Sequence, residues 1–160
     1  MPDPPSKIRI IFGSGPAGMV ISILLFVIAF WISGQVPLPL LSGNRGLPDL
    51  IFAAACLLTL ALIIWSIRSL PPADRGRKLC TGGAFRYVRH PLYAAFLSVF
   101  NFGLAIYLNS WILILWAVLL HPLWHVIVRG EEEMMIDLFG DEYREYQEKT
   151  GRFVPKLVWR

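Results

Sequence analysis

Residues 91–128 read PLYAAFLSVFNFGLAIYLNSWILILWAVLLHPLWHVIV, and this stretch decides the fold. It holds two apolar runs, 91–108 and 111–128, each close to the roughly 20 residues a helix needs to cross a bilayer. Only Asn109-Ser110 separates them. Helices joined so briefly must be antiparallel neighbours. The start of the first run and the end of the second therefore lie on one side, which brings His90 and Tyr93 near Arg129 and the acidic run Glu131-Glu132-Glu133. Pro91 suits the first turn of its helix, where a missing N–H costs nothing.

The composition fits a membrane protein. Of 160 residues, 56% are hydrophobic and 16% charged, well outside the usual range for a soluble domain. A chain of this length has room for about four spans in a single domain. The other two runs are 16–33 and 50–67. Lys7 and Arg9 precede the first run, as in a secretory signal, but it is long for a signal core and Gly-Gln-Val-Pro offers no small-x-small cleavage pattern, so a retained span is expected. Cys56 and Cys80 have no spacing that suggests a disulfide or a zinc site. The net charge of +4 is read as a topology signal and a contact with anionic lipid rather than with nucleic acid. With four spans, the N-terminus, the loop 68–90 and the C-terminal tail share one side, and every Lys and Arg except Arg45 falls there. The positive-inside rule makes that side cytoplasmic.

After the fourth span, Glu131 to Lys149 has Met135, Leu138, Phe139, Tyr143 and Tyr146 at spacings of three and four. That pattern predicts one amphipathic helix on the cytoplasmic face, with Arg144–Glu148 and Glu145–Lys149 as i,i+4 pairs. The expected fold is thus an all-α integral membrane protein of about four transmembrane helices plus a C-terminal amphipathic helix. The tail 152–160 mixes basic and aromatic residues, as either an interfacial anchor or a cover for a site. His121 and His125 share a helix face, but Pro122 lies between them and no second histidine motif exists. Interhelical hydrogen bonding accounts for them, and for Asn101, more simply than a metal does, so no metal site is expected.

Three elements in order, GAFRYVRHPLY at 83–93, RGEEEMMIDLFGDEYREY at 129–146 and Arg-Phe-Val-Pro155, resemble the isoprenylcysteine carboxyl methyltransferase family, with phospholipid N-methyltransferases as more distant relatives. The resemblance covers about Lys78 to Pro155. It implies an S-adenosylmethionine-dependent enzyme embedded in the bilayer, with the donor held by the C-terminal half and a lipophilic small-molecule or lipidated substrate. Carried over residue by residue, donor contacts fall on Lys78, Leu79, Cys80, Phe85, His90, Pro91, Leu92, Tyr93 and Glu131. Ala95 stands where family members often have glycine. The family's substrate arginine, expected four residues before the first donor glutamate, falls on Ile127. The nearest arginine, Arg129, is about half a turn away. Arg129 and Glu132 are the candidate catalytic residues.

The donor carries a sulfonium, an ammonium, a carboxylate and ribose hydroxyls. Its site needs an acceptor carboxylate, hydrogen-bond donors and an apolar slot for adenine, which the basic loop and acidic run supply. An ionised carboxylate acceptor needs only alignment and exclusion of water. An amine or thiol would also need a base, with Glu132, His90 or a tail tyrosine as candidates. Two alternatives stay open: an NADPH-dependent reductase of the sterol-reductase type, and a noncatalytic four-helix membrane protein. The residues identify neither the methyl acceptor nor the oligomeric state.

Overall fold

The computed structural model describes residues 14–71 and 77–156. The basic N-terminal segment with Lys7 and Arg9, the part of the loop with Pro72 and Arg75, and the end of the tail lie outside the described residues. Four apolar helices form the body: α1 Gly15–Gln35, α2 Gly46–Ser69, α3 Pro91–Tyr107 and α4 Trp111–Ile127. Two polar helices follow, α5 Arg129–Phe139 and α6 Asp141–Lys149. The protein is a multi-pass membrane protein. Among the described residues, three helical units are long and apolar enough to cross a bilayer: α1, α2 and Trp111–Phe139, which joins α4 to α5. In that last unit the apolar part ends at Val128, and Arg129-Gly-Glu-Glu-Glu133 begins a polar part beyond the span. The 17-residue α3 is near the lower limit for a span. Leu24, Leu57 and Leu115 are 58%, 70% and 56% exposed, a surface that suits hydrocarbon rather than water.

The tight turn forms as the sequence predicts. Asn109 takes a left-handed φ of 57°, which asparagine tolerates. Ser110 then caps α4, its side chain accepting from Leu113 N–H. On that end of the bundle Ser42 N–H donates to Asn109 Oδ1 at 2.9 Å, and Asn109 Nδ2 donates to Ser42 O at 2.9 Å. Arg45 donates to the Tyr107 carbonyl at the end of α3. Between spans, where lipid removes the hydrophobic drive, close packing at small residues holds helices together. Gly103 of α3 packs on Ala55 of α2, and Gly18 of α1 packs under the Trp124 ring of α4. Ser22 Oγ accepts from Trp124 Nε1 at 2.9 Å while donating to Gly18 O.

Two helices differ from expectation. α3 is not regular: Phe96–Phe100 forms a π turn between α-helical Pro91–Ala95 and Asn101–Tyr107. The expected single helix from Glu131 to Lys149 is two, broken where Gly140 adopts a φ of 56°. Glycine visits that region without penalty, so the chain bends and returns α6 over the loop before α3. Lys149 pairs with Glu145, but Arg144 pairs with Asp141 rather than Glu148.

Candidate functional site

The loop before α3 and the tail after α6 run side by side. Val88 and Gly151 form a parallel β-bridge, Arg89 N–H donates to Gly151 O at 2.8 Å, and His90 N–H donates to Arg152 O at 3.1 Å. Tyr146 of α6 donates its hydroxyl to Phe85 O at 2.5 Å. Leu79, Tyr143 and Tyr146 are buried together against Met135, Ile136 and Phe139. Burial pushes both tyrosine pKa values well above the usual range, so at neutral pH both phenols keep their protons and do not act as bases. Phe153, 3% exposed, sits against His90, His121 and His125. The described part of the tail is therefore packed on the loop before α3 and on the end of α4 rather than lying free at the surface.

Glu132 lies at the centre of this junction and is 3% exposed. Arg89 Nε donates to its Oε1 at 2.8 Å; Arg152 Nε and a terminal nitrogen reach its Oε2 at 2.9 and 2.7 Å. Gln147 Nε2 and His90 Nε2 approach at 3.3 and 3.4 Å. Burial alone would raise its pKa, but the hydrogen bonds from His90, Arg152 and Arg89 outweigh that and hold the carboxyl well below the usual range. Arg89 also donates to Gln147 O and Thr150 O, and Arg152 to His125 O. A buried carboxylate between two guanidiniums ties the loop, α5, α6 and tail together.

Its neighbour Glu131 faces elsewhere. Glu131 Oε1 accepts from Ser14 N–H and Ser14 Oγ, both at 2.6 Å, and from the Tyr93 hydroxyl at 3.0 Å. Its Oε2 is 3.6 Å from His90 Nδ1. His90 thus stands between the two carboxylates, stacked on Tyr93 at 5.6 Å, with Tyr93 against Trp124.

Glu131 is on the wall of a cavity of about 780 Å³. All nine residues expected at the donor site line it: Lys78, Leu79, Cys80, Phe85, His90, Pro91, Leu92, Tyr93 and Glu131. The two candidate catalytic residues do not. Glu132 is committed to its ion pairs, and Arg129 is exposed on the first turn of α5. Ile127, at the family's arginine position, packs near Gly18. His121 and His125 face Phe153, with Arg152 3.3 Å from His125 Nδ1, so a cation already occupies the neighbourhood of that ring. Residues with a structural part in the site that the sequence reading did not assign are Ser14, Arg152 and Gln147. Arg152 lay inside the Arg-Phe-Val-Pro motif, a signal that was present; Ser14 had none.

The cavity continues away from the polar end between α1, α3 and α4, lined by residues including Phe26, Phe96, Leu97 and Leu104. The cavity is polar at one end and apolar at the other, a shape that suits a molecule with a polar head and an apolar body. The chain belongs to the phospholipid methyltransferase family, whose sequence model matches residues 50–142. It is 30% identical over 85 residues, 52% of this chain and 36% of the relative, to a protein-S-isoprenylcysteine O-methyltransferase of Schizosaccharomyces pombe. It is 36% identical over 76 residues, 48% of this chain and 25% of the relative, to methanethiol S-methyltransferase 1 of Bradyrhizobium diazoefficiens. The matched segments thus span about a third or less of those relatives. In fold it is similar to the eukaryotic intramembrane Ras methyltransferase, isoprenylcysteine carboxyl methyltransferase: TM-score 0.63 over 97% of this chain and 58% of the other, at 21% identity. These matches agree with the resemblance read from residues 83–93 and 129–146.

Proposed function

We propose that the protein transfers a methyl group from S-adenosylmethionine to a lipophilic acceptor of the isoprenylcysteine-carboxylate type, with both termini and the site on the cytoplasmic side. The observation that carries this reading is the shared cavity: every residue expected at the donor site lines it, and it extends without a break into an apolar arm between the spans. Its volume of about 780 Å³ suits a nucleoside-sized donor with part of an acceptor.

The residues present fit the donor's chemistry. Glu131 offers a carboxylate for an ammonium group, held in place by Ser14 and Tyr93. Phe85, Leu79, Met135 and Leu138 provide an apolar slot beside it. Bound there, the donor would supply a methyl on a cationic sulfur, which an acceptor carboxylate oxygen would take as a methyl ester while the sulfur leaves as a neutral thioether, with no proton to move. The chain's part is to align the two and exclude water. The tail, tied to Arg89, His90 and Glu132, fixes the loop and the start of α5 that carry the wall of that space. Of the candidate bases, Glu132 is tied up in ion pairs and Tyr143 and Tyr146 hold their protons, which leaves His90 on the cavity wall for an amine or thiol acceptor, whereas a carboxylate acceptor needs none.

Thermal-shift and calorimetric titrations of the purified protein test the reading. Saturable stabilisation by S-adenosylhomocysteine is expected, lost in folded Glu131→Ala and His90→Ala variants. A response to NADPH with none to S-adenosylhomocysteine would replace it with the reductase reading. Transfer from a labelled donor onto prenylcysteines, fatty acids, amines and thiols then identifies the acceptor.

A further inference from the structure

The apolar arm contains two polar groups that the donor reading leaves unused. Asn101 and Trp116 line it among Phe26, Phe100 and Leu104. They are 9% and 8% exposed. Among the described residues the Trp116 indole N–H has no hydrogen-bond partner, and the Asn101 side chain makes no hydrogen bond either. The interhelical hydrogen bond expected for Asn101 is therefore absent among those residues. Unpaired donors inside a membrane protein are costly, and they are retained most readily where a bound group completes them.

The backbone turns Asn101 into the arm. Residues 92–93, 96–97, 100–101 and 104 all line the cavity, a spacing of four. Four residues of α-helix overshoot a full turn by about 40°, so a regular helix would carry this row off the face. The wider π turn at Phe96–Phe100, immediately before Asn101, takes back that overshoot. π turns recur at functional sites.

We propose that the arm binds a lipophilic acceptor carrying an oxygen, a carbonyl or hydroxyl, within its apolar body, and that Trp116 Nε1 and Asn101 recognise it. An indole N–H can only donate, so the ligand group must accept. Asn101 is eight positions after Tyr93, placing this oxygen about 12 Å from the polar end of the cavity at 1.5 Å per residue. The inference deepens the methyltransferase reading and rests on it for which end of the molecule is methylated. The oxygen site itself stands on Asn101, Trp116 and the π turn.

Binding distinguishes the two. Wild-type protein in phosphatidylcholine nanodiscs is titrated with tritiated 8-pentadecanone and with pentadecane, with retention by empty discs subtracted. The ketone is expected to bind about tenfold more tightly, a difference that one hydrogen bond provides. In Trp116→Phe and Asn101→Leu the preference falls to about twofold or less, while S-adenosylhomocysteine binding in the same discs is unchanged. Equal binding of the two probes by the wild type overturns the proposal, whether or not the variants fold; so does a preference that survives both substitutions. A wild type that prefers the ketone yet binds no S-adenosylhomocysteine keeps the oxygen site and removes the methyltransferase reading.

Discussion

Arg89 Nε lies 2.8 Å from Glu132 Oε1, both side chains buried, and this pair joins the residue before His90 to the residue after Glu131. Each partner is one position from a residue on the cavity wall. The pair therefore sets the spacing between His90 of the loop and Glu131 of α5, with Arg89 itself on the cavity wall and Glu132 behind it. Arg152 on the other carboxylate oxygen brings the tail into the same arrangement. Neighbouring glutamates thus divide the work: Glu131 faces the ligand space and Glu132 holds the frame.

That division predicts opposite profiles for two conservative substitutions. Glu132→Gln leaves buried guanidiniums without their counter-charge, a change that typically costs about 3–5 kcal/mol, and the unfolding midpoint in detergent should fall steeply. Glu131→Gln keeps an oxygen for Ser14 and Tyr93 and should cost under about 1.5 kcal/mol, but S-adenosylhomocysteine binding should weaken by about ten- to a hundredfold. Similar stability losses in the two variants would contradict the division.

The same ion pairs fix a pH dependence. The folded Glu132 carboxyl has a pKa below its ordinary value of 4.5, so its contribution to stability is complete above that pH and is lost as pH falls through the folded value. Between about pH 5.5 and 7.5 this group should leave the unfolding midpoint unchanged. On acidification below about pH 4.5 the wild type should lose stability towards that of Glu132→Gln, which lacks the titrating group. Midpoints of both proteins across that range measure it.

Arg129 sits at the first residue of α5, exposed and away from the cavity wall. α5 continues α4 with a single residue between them, so no free helix N-terminus faces Arg129, and an exposed substitution there stays within about 0.5 kcal/mol. Arg129→Ala is therefore expected to hold stability and to leave methyl transfer within about twofold. A loss of tenfold or more in kcat/KM would restore the arginine to substrate binding and require α5 to turn towards the cavity.

The parts of this structure that follow local rules could be read in advance. Spans show as apolar runs, the Asn109-Ser110 turn as a two-residue gap, and the residues at the polar end of the cavity as motifs whose order matches a family. Other features depend on contacts that no single stretch carries. Nothing in Phe96–Phe100 marks a π turn, because its five residues would sit equally well in an α-helix; its consequence appears only in which residues of α3 face the cavity. The break at Gly140 was hidden because the apolar spacing continues across it, from Phe139 to Tyr143. Glu132 resembled a catalytic base because the sequence places it beside Glu131, whereas its burial comes from Arg89 and Arg152, 43 and 20 positions away.

The tail's return under the loop depends on Gly151. A methyl group there would meet the Val154 carbonyl, and backbone cannot rotate aside as a side chain can. The same residue's carbonyl accepts from Arg89 N–H, and its neighbours Thr150 and Arg152 are both tied to the Glu132 cluster. Gly151→Ala must therefore shift the tail or the loop, at a cost of about 1–3 kcal/mol for overpacking, and should expose Arg152 to trypsin under native conditions. Gly130→Ala is the matched control: a side chain there meets nothing within 4 Å, and in a helix the change should stabilise by about 0.4–1 kcal/mol. Limited proteolysis and unfolding midpoints of both variants read the difference. If Gly151→Ala resists trypsin as well as the wild type does, the tail is held by its side chains alone and the backbone pairing with Val88 and Arg89 is incidental.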